Sequence, residues 1–498
     1  MIPLPVSVRP DPAANFRISS DLSVSAAPEA ADIAEQLATL LRRLTGRPVP
    51  LMDGGSIRIL LEGYDKNGKP PEAYRLDIAA DGVTLRAPSK HGLFNAVQTL
   101  RQLLPETGAE TGAEKGAETG AETGGGAVPD EIVLPGGRIE DEPRFAYRGT
   151  MLDLARHFFP PADIRAHIDA IAQFKINYLH LHLTDDQGWR LEIPGWPRLT
   201  EVSGGAGTGV DGAGPGFLTA GEYADLVAYA AGRFVTIVPE IDMPGHVNAA
   251  QLAYPELTCD GTPVEPRTDT EVGYSSLCAG KEETYAFVAD VIREVAALTP
   301  GPYLHIGGDE AFSTPAEDYR TFLRRVLPMV GEHGKRAIGW HEMAAVDLPP
   351  TAIPQYWRIE PADDGVARAA ASGHQVIMSP ADRSYLDMKY DQDSPLGLDW
   401  AGLVGVERSY DWDPADRLPG VGEESLLGVE APLWSETLRS LADVQFMAFP
   451  RLAAIAEIGW TPRADREWRS FRSRLAGLGP RWTAQGINYY RSPEIDWR

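Results

Sequence analysis

Asp309 and Glu310 are neighbouring carboxylates preceded by Gly307-Gly308. Most glycosidases set two carboxylates on opposite sides of the scissile bond, roughly 5–10 Å apart, a separation that chain neighbours meet poorly. A different division of labour suits neighbours better. One carboxyl acts as general acid and then as base, while the other steadies a nucleophile that belongs to the substrate. A 2-acetamido group can be that nucleophile. Its carbonyl oxygen attacks C1 and gives an oxazolinium ion, whose positive charge an adjacent carboxylate can hold. The alternative, a charged first turn of the next helix, is weakened by the two glycines, which let a substrate or a neighbouring strand come close.

Such a pair must be presented by a rigid scaffold. From Arg148 onward, short apolar runs alternate with amphipathic helical stretches. The runs are 149–154, 177–183, 234–241, 303–306, 336–340, 353–357, 375–378 and 426–433. Helical spacing marks 162–174, 220–232, 283–298, 316–330 and 442–458 between and after them. Eight such units over about 320 residues predict a (β/α)8 TIM barrel. A doubly wound open sheet would need a glycine-rich phosphate loop after its first strand, and none is present.

In a (β/α)8 barrel the site is built at the C-terminal strand ends. Here the runs lead in turn to Asp153 and Arg156, to Asp185-Asp186, and to Glu240, Asp242 and His246. The later ones lead to Asp309-Glu310, to Trp340-His341-Glu342, to Trp357-Arg358, to Tyr385 and Asp387, and to Trp434-Ser435-Glu436. Carboxylates among planar aromatic rings suit a sugar: the rings stack on its C–H face and the charged groups take its hydroxyls.

Composition narrows the partners. The chain has 498 residues, 11 Trp, 2 Cys and a net charge of −25. That acidity opposes binding to nucleic acid or to an anionic membrane. No apolar stretch is long enough to span a bilayer. The N-terminus lacks a basic segment followed by an apolar run, so a cytoplasmic protein is expected; a signal already removed would place it outside the cell instead. Oligomeric state is left open.

The first 143 residues read as a small α+β domain. Residues 30–46 and 91–104 have helical spacing, and 57–61, 74–87 and 132–134 read as strands, with Asp81-Gly82 as a hairpin turn. Residues 106–127 are a Glu/Thr/Gly/Ala repeat of net charge −4, read as a solvated loop insertion. The expected division is therefore 1–143 and 144–498, the second part including a C-terminal helical extension.

Metal readings fare poorly. His180-x-His182 puts two imidazoles on one side of a strand. The later strand ends, however, offer Trp and Glu rather than further His and Lys, so these two read as buried, hydrogen-bonded structural histidines. Asp391-Gln392-Asp393 lacks the glycine and closing glutamate of a calcium loop. No metal or organic cofactor is expected. Cys259 and Cys278 share one loop, where an oxidising compartment would allow a bridge and a reducing one would keep thiols.

The stretches RGTMLDLARHFF (148–159), NYLHLHLTDDQGWRLEI (177–193), EIDMPGH (240–246), HIGGDE (305–310), GWHE (339–342), QYW (355–357), YLDMKY (385–390) and APLWSE (431–436) together resemble the β-N-acetylhexosaminidases of glycoside hydrolase family 20, Streptomyces-type bacterial ones included. The resemblance covers the barrel in order, and the segment before it is similar to the small domain that precedes the barrel in that family. It implies a retaining exo-hydrolase for terminal β-linked N-acetylglucosamine or N-acetylgalactosamine. It further implies Glu310 as acid/base, Asp309 as the group that orients the acetamido N–H, and Tyr385 as a donor to the acetamido oxygen. Trp340, Trp357 and Trp434 would wall the sugar, Trp400 would lie near the leaving group, and Arg156, Asp387 and Glu436 would take hydroxyls. Asp185 and His246 are grouped with these substrate-side residues, with Asp242 and His182 standing behind them and the polar set tuning Glu310. The same resemblance favours a Cys259–Cys278 disulfide. Alternatives within the family are a lacto-N-biosidase-like or chitobiose-directed enzyme; a more distant one is a non-catalytic sugar-binding barrel.

Overall fold

The computed structural model describes residues 1–62, 68–104, 132–360 and 362–498; the repeat at 106–127 lies outside the described residues. The chain divides into two compact units. The first comprises residues 1–144, 173–175 and 456–498; the second comprises 145–172 and 176–455.

The first unit holds a six-stranded sheet, in the order Ser7–Pro10, Gly137–Asp141, Tyr74–Ala79, Gly82–Ala87, Ile57–Leu61, Val24–Ala26. Helix Ala31–Thr45 buries Ile33, Leu37, Leu40, Leu41 and Leu44, the 3–4 spacing of one helical face. It stops at Gly46, whose φ of 63° donates its N–H back to Arg42. Helix Lys90–Leu103 is capped by the Ser89 hydroxyl.

The sequence divides the chain into 1–143 and a barrel with a C-terminal helical extension over 144–498; in the structure, 456–498 group with residues 1–144. Buried Glu457 explains this. It accepts two hydrogen bonds of 2.6 Å from the Arg474 guanidinium and one of 2.9 Å from the Leu4 N–H. A buried carboxylate has to be satisfied in this way, and the partners tie the C-terminal segment to the first residues of the chain.

The second unit is a closed eight-stranded parallel barrel. Its strands are β1 (Tyr147–Asp153), β2 (Tyr178–His182), β3 (Thr236–Glu240), β4 (Tyr303–His305), β5 (Arg336–Trp340), β6 (Ile353–Tyr356), β7 (Val376–Met378) and β8 (Leu426–Ala431). Each overlaps one of the expected apolar runs, because parallel strands buried on both faces need apolar residues almost continuously. One feature differs. The helix expected over 442–458 is two helices, Leu441–Ala448 and Arg451–Trp460. Pro450 lies at the break, and it can neither donate a helical hydrogen bond nor avoid the carbonyl four residues back.

The barrel interior is layered. At one level Tyr147, Val238, Tyr303, Ile338, Ile353, Ile377 and Leu427 form an apolar cluster. A polar layer is built beside it. His180 lies 2.9 Å from both Glu240 and Glu430, His305 lies 2.9 Å from Glu240, and Gln355 donates to Glu430 at 2.8 Å. The register pairs Asp153 with His182, His182 with Glu240 and Glu240 with His305. The last residues of β1 to β4 thus form one continuous row of titratable side chains at the C-terminal rim. Among the described residues, no helix is long and apolar enough to cross a membrane.

Candidate active site

The loop after β4 presents Asp309 and Glu310 through unusual backbone. Gly307 and Gly308 have φ values of 65° and 101°. A Cβ on Gly307 would lie 1.7 Å from Asp242 Oδ1, so only glycine fits. That same Asp242 oxygen accepts the Gly308 N–H at 3.0 Å. Glu310 itself has φ 47° and His246 φ 55°. Non-glycine residues held there cost roughly 1–3 kcal/mol each, and here the two strained residues face one another: His246 Nε2 lies 3.6 Å from Glu310 Oε2 and 3.7 Å from Asp309 Oδ2.

Behind His246 runs a chain of buried charges. Asp185 Oδ1 lies 3.2 Å from His246 Nδ1; its other oxygen lies 2.9 Å from His182 Nε2 and 2.8 Å from the Arg156 guanidinium. Burial alone would neutralise these groups. For His246 that tendency is outweighed by Asp185 and Asp309, which hold the imidazole charged. For Asp185 it is outweighed by Arg156 and His246, which keep the carboxylate ionised. Burial prevails at Asp309, whose pKa is pushed up to about 6, with Glu310 adding to the rise and His246 opposing it. Asp242 is raised further, by burial and by Asp309. Asp309 is therefore poised close to neutrality, and Asp242 behind it is pushed towards its protonated form.

A cavity of about 390 Å³ opens at this point, lined by Asp309, Glu310, Arg156, His246, Trp357, Tyr385, Asp387, Trp400, Trp434 and Glu436. That size suits one pyranose. Trp434 packs under the Arg156 guanidinium, 5.0 Å from the ring centroid. Tyr385 and Trp357 approach Trp400 edge-on at 5.8 and 6.0 Å. Trp400 is about half exposed, at the mouth. Burial and the neighbouring Glu436 push the titration of Asp387 up, and burial raises that of Glu436, with Arg156 opposing and Asp153 adding to the rise.

Two substrate-side assignments change. Trp340 is fully buried and does not line the cavity; its ring lies 5.8 Å from that of Trp434 and backs the wall. It closes β5 at the centre of an aromatic cluster, so neighbouring rings cover it. Asp185 is also buried away from the cavity. Its oxygens are taken up by Arg156, His182, His246 and the Asp186 N–H, so it positions those groups rather than lining the cavity. Asp242 and His182 stand behind the lining, as expected.

Sequence reasoning gave no role to Glu342, Thr270, Val272 or Leu398. Glu342 accepts the Trp357 indole N–H at 3.2 Å, and burial and Asp309 push its pKa up to about 8. Its position after the β5 end was a visible signal. Thr270, Val272 and Leu398 line the cavity from long irregular loops without periodicity, where no signal existed. A disulfide joins Cys259 to Cys278 across the loop that carries Thr270 and Val272.

Among the described residues, four buried groups bring possible cation ligands within 4.8 Å of one another, among them His180, Glu240 and His305. In that group both imidazoles lie against Glu240, whose carboxylate they hold ionised against the effect of burial. Burial and the charged His180 nevertheless push His305 towards its neutral form, which fits an ion-paired His180 and a hydrogen-bonded His305 with structural roles.

Comparison with known proteins agrees with this geometry. The family model "Glycosyl hydrolase family 20, catalytic domain" matches residues 145–320 and 312–463, and the model of the family's domain 2 matches 1–142. A beta-N-acetylhexosaminidase of Cellulomonas fimi is 41% identical over 504 residues, covering 100% of this chain and 97% of that one. The structure of the beta-N-acetylhexosaminidase of Streptomyces coelicolor A3(2) superposes with a TM-score of 0.92 at 48% identity, covering 100% of this chain and 98% of that one. A mutant Streptomyces plicatus beta-hexosaminidase in complex with its product, GlcNAc, gives 0.93 at 47% identity, with 100% and 97% covered. With the two family models matching residues 1–142 and 145–463 and a carboxylate pair set among aromatic walls at the barrel rim, the chain belongs to glycosyl hydrolase family 20.

Proposed function

We propose that this protein is a retaining exo-β-N-acetylhexosaminidase that releases terminal β-linked N-acetylglucosamine or N-acetylgalactosamine by substrate-assisted catalysis. The observation that carries this reading is the Asp309-Glu310 pair at the edge of a one-sugar cavity with aromatic walls. Glu310 donates its proton to the glycosidic oxygen as the C1–O bond breaks. The acetamido carbonyl oxygen bonds to C1 from the opposite face, and Asp309 takes up the positive charge that develops at the N–H side. Tyr385 donates its hydroxyl to the acetamido oxygen and orients it. Water then attacks C1, loses its proton to Glu310 and opens the ring, so two inversions give retention. Arg156, Asp387 and Glu436 hold hydroxyls at the far side of the sugar. The product complex of the Streptomyces plicatus relative supports an N-acetylhexosamine in the cavity.

The test is hydrolysis of p-nitrophenyl glycosides of both epimers and of the matching disaccharide, with a thiazoline analogue of the oxazolinium ion as inhibitor. Release of the single sugar with strong thiazoline inhibition is expected. Absence of hydrolysis, or release of the disaccharide alone, would overturn the reading.

A further inference from the structure

The turn that carries Asp309 and Glu310 is fastened peptide by peptide. The Gly307 carbonyl and the Gly308 N–H belong to one peptide, and both are held: the carbonyl accepts the Trp340 N–H at 2.9 Å, and the N–H donates to Asp242 at 3.0 Å. The next peptide joins Gly308 to Asp309. Its carbonyl accepts the Tyr319 hydroxyl at 2.6 Å. Among the described residues, no second donor meets that carbonyl, and the Asp309 N–H on the other side of the peptide has no acceptor. Gly308, at φ 101° and without a side chain, does little to stop this peptide from turning. Glu310, next along, is held at φ 47°, and such strain persists only where the surroundings over-determine it. One hydroxyl therefore bears on the direction in which both carboxylates leave the turn.

Tyr319 is the fourth residue of helix Ala316–Glu332. A Cβ on Gly308 would lie 3.2 Å from its oxygen. Burial, then Glu342, Asp309 and Asp242, push the titration of the hydroxyl well above its usual range, so it keeps its proton and remains a donor. Tyr319 does not line the sugar cavity, so any effect it has on the reaction passes through the turn. We propose that Tyr319 is a positioning residue, whose hydroxyl fixes the Gly308–Asp309 peptide and so aims Asp309 at the acetamido group. This rests on the hexosaminidase reading above and adds to it a residue from outside the cavity wall.

The experiment is Tyr319→Phe, which keeps the ring and removes the oxygen, assayed on p-nitrophenyl N-acetyl-β-glucosaminide. kcat should fall roughly 5- to 50-fold with KM within about twofold of wild type, because a small misplacement of a reacting group is felt mainly in the transition state. Inhibition separates a misaimed Asp309 from a loosened site. The thiazoline analogue of the oxazolinium ion should bind more weakly by a similar factor, while Ki for the product N-acetylglucosamine stays unchanged. In a double-mutant cycle, Tyr319→Phe should cost little on an Asp309→Asn background, since both changes act by one route. Wild-type kcat and thiazoline affinity in the variant, equal weakening of thiazoline and product, or additive losses in the cycle would overturn the proposal. A variant that does not fold would overturn it too, because the hydroxyl would then serve the fold as a whole. Absence of hydrolysis by the wild-type protein would instead defeat the underlying reading.

Discussion

The two halves of the barrel rim differ in character. Strands β1 to β4 deliver Arg156, Asp185, His246, Asp242, Asp309 and Glu310, a chain of buried charges in mutual contact. Strands β5 to β8 deliver Trp340, Trp357, Tyr385, Trp400 and Trp434, rings that meet edge-on or tilted. The difference separates two tasks. One half moves protons and stabilises charge, which needs titratable groups tuned against each other. The other excludes water and fixes the sugar, which strengthens every interaction made by the first. Substitutions at Asp309 and Glu310 should therefore change kcat and its pH profile, and those at the ring walls Trp357, Trp400 and Trp434 should change KM.

The largest effect expected is from Glu310→Gln, which removes the acid while keeping shape. It should lower kcat by roughly 10²–10⁴-fold with little change in KM, measured by steady-state kinetics on a p-nitrophenyl substrate. A fall confined to KM would erase the distinction between the halves.

Asp309→Asn sharpens it. The folded pKa of Asp309 is raised from 3.8 to about 6, so its ionisation penalises the folded state. That penalty is absent below pH 4, grows between 4 and 6 and is complete above 6. The variant should lose activity yet unfold at higher temperature than wild type at pH 7, by on the order of 1–3 kcal/mol of stability, with the gap closing towards pH 4. In the wild type, kcat/KM should fall as pH drops through about 6, where Asp309 takes up a proton. Calorimetry and a pH–rate profile check both signs.

Replacing Cys259 and Cys278 together by serine opens a bridge across 19 positions and should cost about 3 kcal/mol by the loop-entropy estimate, read as a lower Tm. Activity should change less, since Glu310 and His246 lie outside the bridged loop. The smallest effect belongs to the aromatic rim. Trp400→Ala removes a half-exposed ring and should raise KM roughly 2- to 10-fold at nearly constant kcat.

Sequence legibility followed the same physical divide. The barrel was readable because its strands are buried on both faces, and the strand-end residues followed from the rule that such barrels place chemistry at one rim. What escaped depended on packing in three dimensions. Trp340 and Trp434 look alike in sequence, and only the packing of neighbouring rings shows that one backs the wall and the other forms it. Asp185 reads as a ligand group until Arg156, His182 and His246 are seen to occupy it. The attachment of 456–498 to the N-terminal sheet turns on Glu457, Arg474 and Leu4, which are remote in sequence. The break at Pro450 was visible in the sequence and outweighs the apolar periodicity around it.

The central claim is that the substrate's own acetamido oxygen attacks C1 beside Asp309. It is tested most directly by kcat/KM for p-nitrophenyl substrates whose acetyl group carries zero, one, two or three fluorines. Each fluorine withdraws electrons from that oxygen, so the account predicts a steep and progressive fall across the series. A flat series would contradict it and would point to a nucleophile belonging to the protein or to water.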